Sequence, residues 1–297
     1  MIEICSGHRG TFIGAFYFLL LLGSLGCVTP AGNPSAPAEA PTVVTSWAQA
    51  IELLNQDPQP HTLRPFYSAS LEADLTAIST AADRNLKDLW QKQKPADSQM
   101  SRRERRLQRN VWYHRQVQNW NEPLVKKLTE IPEAGSPISD HSRVAASVWE
   151  KVRENPVARL DNVRSYPQGN QVGYCFGRAM LVHLRLLQAG VPQKDIAKIF
   201  TLGDLLVGQE LWRFHVAVMV RDPRFGFVVV DPLQNKVLAI GKWLDVNRDY
   251  GVKRPYSRVR FFVTDPRKFV PGLGRYDLEQ LQNPALKPYF EDLAKTL

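Results

Sequence analysis

The sequence predicts an α+β protein in which a helical N-terminal half precedes a cysteine-bearing helix packed on an antiparallel sheet. Three observations predict this. Apolar residues recur at helical steps through 46–155, the texture changes after residue 160, and β-like runs follow at 211–220, 225–232 and 258–266. The chain has 297 residues, so the part beyond residue 45 is long enough for one large domain or two modest ones.

The first element is an export signal rather than structure. Arg9 precedes an apolar run, Thr11 to Leu25, that is shorter than the ~20 residues a spanning helix needs. The run closes in "GSLGC", with small Gly26 before Cys27. This resembles the lipobox of bacterial lipoproteins, which implies a signal peptide over 1–27 and lipidation at Cys27. A plain secretory peptide or a short N-terminal anchor is the alternative. Val28 is not the acidic retention signal, so the resemblance implies the bacterial cell envelope, at the outer membrane. Residues 28–45 are Pro, Ala, Ser and Thr with few core formers, and they read as a disordered tether.

Residues 46–155 read as a helical region that shields a cleft or binds substrate or partner. Ser46 is an N-cap for "WAQAIELLNQD" and Pro58 a stop. Leu71, Leu75, Ile78, Ala82, Leu86 and Leu89 mark a second helix, and a third runs from Ser101 towards Leu128. "SRVAASVWEKVREN" is a fourth, before Pro156. Net charge is +9, much of it in "SRRERRLQRNVWYHR" at 101–115. The spacing suits a solvated helix face with Leu107 and Trp112 turned inward. Acidic envelope polymers or lipid head groups suit that face better than nucleic acid.

The 156–297 region carries the chemistry, with its boundary expected between 130 and 165. A loop, "SYPQGNQVGY", leads into "CFGRAMLVHLRLLQAG", where Cys175, Ala179, Val182 and Leu186 share one helix face. Gly190 and Pro192 end that helix. With Cys5 in the signal and Cys27 lipidated, Cys175 has no disulfide partner. A lone cysteine is often just a small buried hydrophobe. At the first turn of a helix, however, aligned N–H dipoles stabilise a thiolate, and the Cys175 N–H points at any oxyanion formed by attack.

A turn near residues 223–224 makes 211–220 and 225–232 a hairpin, which brings His215 close to Asp231. The carboxylate then accepts the Nδ1 proton of the imidazole. A one-residue slip would turn one of them to the other face. Asp231 before Pro232 also suits a plain turn former, and His215 a satisfied core residue. Together with Cys175 the three supply a nucleophile, a base and an orienter. Arg178 suits a helix-anchoring salt bridge.

The order "GYCFGRA", "KIFTLGDL", "WRFHVAVMV", "VVVDPL" and then Trp243 is similar to the protein-glutaminase family, over about 165–245. These are bacterial protein-glutamine deamidases with a transglutaminase-like, papain-related core. The resemblance implies a Cys-His-Asp triad at Cys175, His215 and Asp231, acting through a thioester with no metal or organic cofactor. It implies a protein or peptide substrate bearing glutamine. Gln171 and Trp212 are candidates for substrate or oxyanion contacts. The same triad serves transglutaminases and cysteine peptidases, and a non-enzymatic envelope lipoprotein with an inactive core is a further alternative.

Overall fold

The computed structural model describes residues 44–60, 62–68, 86–93, 100–133, 138–162, 165–166, 173–251, 259–271 and 274–297. The expected signal peptide, Cys27, most of the tether, the first part of the second helix and Gln171 lie outside the described residues. No described helix is long and apolar enough to cross a membrane.

The helices are α1 (Trp47–Leu54), α2 (described over 86–93), α3 (Arg102–Thr129), α4 (Ser142–Glu154), α5 (Cys175–Gln188), α6 (Ile240–Asp249), α7 (Leu278–Leu281) and α8 (Lys287–Ala294). Ser46 caps α1, as expected, accepting from the Gln49 N–H at 3.4 Å. Ser101 and Glu104 form a reciprocal capping box at the start of α3. Gly190 takes a left-handed φ of 82° after α5, and the Val191 N–H returns to the Leu186 carbonyl at 3.0 Å.

The strands β1 (Ile196–Val207), β2 (Glu210–Asp222), β3 (Gly226–Val230), β4 (Leu238–Ala239) and β5 (Arg260–Thr264) form one antiparallel sheet, ordered β4-β3-β2-β1-β5. The structure is therefore mixed α+β. Two of these strands were not foreseen. β4 has only two residues. β1 is flanked by β2 and β5, and most of it is buried, so it lacks the polar alternation of a half-exposed strand. Its Lys198 is fully buried, with the ammonium 4.3 Å from the centroid of the Tyr276 ring and donating to the Lys268 carbonyl.

The expected division near 130–165 does not separate two packing units. Contacts group Pro41–Leu297 as one unit, and a single core joins Trp47, Leu54, Leu128 and Val148 to Phe200, Val229, Trp243 and Leu293. The physical reason is that α1 and α4 pack on α5, while α3 packs on α6 and β5. Trp47 Nε1 donates to the Phe290 carbonyl at 2.7 Å, tying the first described helix to the last. Val44, which falls within the tether expected over 28–45, is buried in the same core. α5 is buried almost all round rather than on one face, because it has α1, α4 and β2 about it.

Leu107 is 53 % exposed and Trp112 only half-buried, contrary to the inward orientation expected. The first turns of α3 carry Arg102, Arg103, Arg105, Arg106 and Arg109 into solvent, and burial begins at Tyr113, Val117 and Asn121. Asn121 is 2 % exposed; its amide donates to the Val259 carbonyl at 2.8 Å and accepts from the Phe261 N–H at 3.1 Å. Asn121→Ala strands two backbone groups and should cost about 1–3 kcal/mol. Urea unfolding followed by fluorescence and circular dichroism measures this, with one shared transition expected for helices and sheet.

Candidate functional site

The sheet register brings His215 and Asp231 together. Val218 pairs with Val230 and Met219 with Val229, so continuing the register sets Asp231 opposite Ala217. Ala217 is two residues from His215, hence on its face of β2. The slip that would have separated them does not occur. β3 stops at Val230, where the Asp-Pro step ends pairing.

His215 Nε2 lies 2.7 Å from Asp231 Oδ2, and both side chains are almost fully buried. The nitrogen that meets the carboxylate is thus Nε2 rather than the expected Nδ1. The carboxylate sits diagonally across the strands, within reach of the outer ring nitrogen. Nδ1 is buried with no well-aligned hydrogen-bond partner, and the Cys175 thiol is the neighbour besides Asp231 that favours the charged ring. Trp243 Nε1 donates to the same Oδ2 at 2.8 Å, and its rings stack on the imidazole at 6.0 Å. The Leu233 N–H donates to Oδ1 at 3.1 Å. Asp231 is therefore a turn former and a histidine partner at once.

Burial by itself would keep the imidazole neutral, but the Asp231 carboxylate and the Cys175 thiol outweigh it and push His215 up to about 9. Burial works against the Asp231 charge as well, yet His215, Trp243 and the Leu233 N–H hold its carboxyl below the usual carboxylate range.

Cys175 opens α5 and is 1 % exposed and free. The residue before it, Tyr174, takes a left-handed φ of 47°, unusual for a side chain of this size. Aromatic packing holds it there: its ring stacks on Tyr289 at 4.2 Å, and Tyr166 meets both rings edge-on. The Tyr174 carbonyl then accepts from the Gly177 and Arg178 N–H groups, closing the first turn. Gly173 also has positive φ, and a Cβ there would come within 2.3 Å of the Trp212 ring. Trp212 lies 5.8 Å from the His215 ring and walls the site, its Nε1 buried without a partner.

The structure thus gathers Cys175, His215, Asp231 and Trp212, while Gln171 lies outside the described residues. Arg178 does not make the expected salt bridge; it is 2 % exposed, and Nη1 and Nη2 have no hydrogen-bond partner. The first turn of α5 carries it into the interior, where no carboxylate of the described residues meets it. Trp243 and Tyr289 had no recognised site role in the sequence. Trp243 was visible only as the tryptophan following "VVVDPL", and nothing in "KPYFEDLA" marks Tyr289 as a neighbour of Cys175. Among the described residues, no three His, Cys, Asp or Glu side chains are gathered so as to hold a metal ion. Comparison with protein-family models, with curated proteins and with solved structures found no match for the chain.

The folded chain holds the His215 proton more tightly than the unfolded chain does. Its contribution to stability is complete below about 6.5 and fades as the pH rises through about 9. Asp231 acts in the opposite sense, its contribution being lost as the pH falls through its lowered value. The stability gap between wild type and His215→Gln should therefore narrow from pH 6.5 to pH 9 in denaturant titrations; a constant gap means a neutral imidazole.

Gly177 is closed to any larger residue, because a Cβ would lie 2.5 Å from the Tyr289 ring. Gly177→Ala should displace that ring at a cost of about 1–3 kcal/mol. A midpoint of urea unfolding equal to that of wild type would contradict this packing.

Proposed function

We propose that the protein is a thiol-dependent hydrolase that converts glutamine side chains of proteins to glutamate with release of ammonia, on a transglutaminase-like core. The supporting observation is the buried imidazole of His215, bonded at 2.7 Å to Asp231 through Nε2 and influenced by the Cys175 thiol. The short motifs that resemble protein-glutaminases fall on these same residues.

In the proposed reaction, Cys175 reacts as the thiolate beside the His215 imidazolium. Sulfur attacks the carboxamide carbon, forming the S–C bond and a tetrahedral oxyanion. The Cys175 N–H and the unpartnered Trp212 Nε1–H are the oxyanion donors. His215 gives its Nδ1 proton to the departing nitrogen, the C–N bond breaks, and ammonia leaves a thioester. The neutral imidazole then takes a proton from water, whose oxygen attacks the thioester carbon; the S–C bond breaks and glutamate departs. Asp231 keeps its bond to Nε2 throughout and stabilises each imidazolium, with Trp243 fixing the carboxylate. Because the thiol is only 1 % exposed, the substrate amide reaches it when the groups that cover it move aside.

The proposal extends to a lipid anchor at Cys27 in the bacterial envelope. The exposed arginines of α3 would lie against anionic surfaces there. Mass spectrometry of a generic protein substrate tests the activity. Wild type should add about 1 Da at glutamine, and Cys175→Ala should not. High-mass species would indicate transglutaminase, and new N-termini a peptidase. A substrate left unchanged by wild type would favour the inactive lipoprotein scaffold.

A further inference from the structure

Arg178 lies one turn beyond Cys175, 2 % exposed, with Nη1 and Nη2 buried and unpartnered. A guanidinium keeps its charge across the physiological range. A buried charge with no partner is strongly destabilising, so it belongs with an anion that none of the described residues provides. The hydroxyl of Tyr289 is also buried without a partner. Burial, the first influence on it, holds that phenol protonated, so it serves as a donor. The charges of both Arg178 and Cys175 act on this hydroxyl. The Tyr289 ring rests on Gly177, between the two residues on the helix, close enough to leave no space for a Cβ. Guanidinium, phenol and thiol therefore share one region.

The geometry points to a carboxylate-binding subsite, formed by Arg178 and Tyr289 beside the Cys175 thiol, that selects substrates with an acidic group close to the reactive amide. It deepens the proposed function and rests on Cys175 being the reacting atom. Residues three apart on a helix are neighbours, with Cβ atoms about 5–6 Å apart, so an amide held at Cys175 has Arg178 on the adjoining turn. The guanidinium fork binds a carboxylate with two parallel N–H bonds, and the phenol adds a third.

Alkylation of Cys175 tests the subsite without assuming any activity. Iodoacetate and iodoacetamide both form an S–C bond as the C–I bond breaks and iodide leaves, but only iodoacetate carries a carboxylate. Intact-mass measurement gives the rate ratio of the two reagents. That ratio should fall about tenfold in Arg178→Gln and recover in part in Arg178→Lys. An unchanged ratio in the folded variants overturns the subsite.

A second measurement uses unaltered protein, in case the variants fail to fold. N-acetylglycine should slow alkylation by iodoacetamide in a saturable way, whereas N-acetylglycinamide should not; equal behaviour overturns the proposal. A third compares ammonia release from glutaminyl peptides with and without an adjacent aspartate, the acidic peptide being preferred. No ammonia from either peptide, with an alkylation ratio that still depends on Arg178, defeats the deamidase and leaves the subsite standing. Ammonia release with a ratio indifferent to Arg178 does the reverse.

Discussion

The carboxylate of Asp231 is buried where an apolar strand stops, and the surrounding site is arranged to satisfy it. A buried carboxylate without donors would be strongly destabilising. Three donors from three places meet it: His215 of β2, Trp243 of α6 and the Leu233 N–H of its own turn. Once the imidazole is bonded there, the direction of its second nitrogen is fixed, and the Cys175 thiol at the head of α5 acts on the same ring. The same bond that stabilises the charged ring also orients it.

Around that pair the described helices and strands pack as one unit. β1 runs between β2 and β5, α5 packs on β2 with α1 and α4 about it, and α3 reaches across to β5 through Asn121. A helix end is a precise platform only if it is held on all sides, and α5 is buried almost throughout its length. The helices of 46–155 supply part of that confinement. They are therefore structural partners of the site, whatever else their exposed basic face contacts.

The site itself was partly legible. The turn residues between two β-like runs set the β2–β3 hairpin, and from it followed the neighbourhood of His215 and Asp231. The ring nitrogen that meets the carboxylate was not legible, because it depends on a diagonal offset that only the register fixes. Arg178 was misjudged for a related reason. Helical spacing places it beside Cys175, yet spacing is silent on whether a carboxylate from elsewhere comes to meet it. Trp243 and Tyr289 reach the site from segments well separated from it in sequence, where no local pattern distinguishes a wall from core packing.

The sequence alone determined the helix that begins at Cys175, the hairpin, the cap at Ser46, the helix start at Ser101 and the solvated basic stretch. All of these follow from interactions within a few residues along the chain. Only the tertiary structure decided that β1 runs inside the sheet between β2 and β5, that helices and sheet share one core, and that Arg178 and Tyr289 are left unpartnered. Those outcomes depend on which distant groups exclude water from one another, and burial of that kind is a property of the assembled fold rather than of any local stretch.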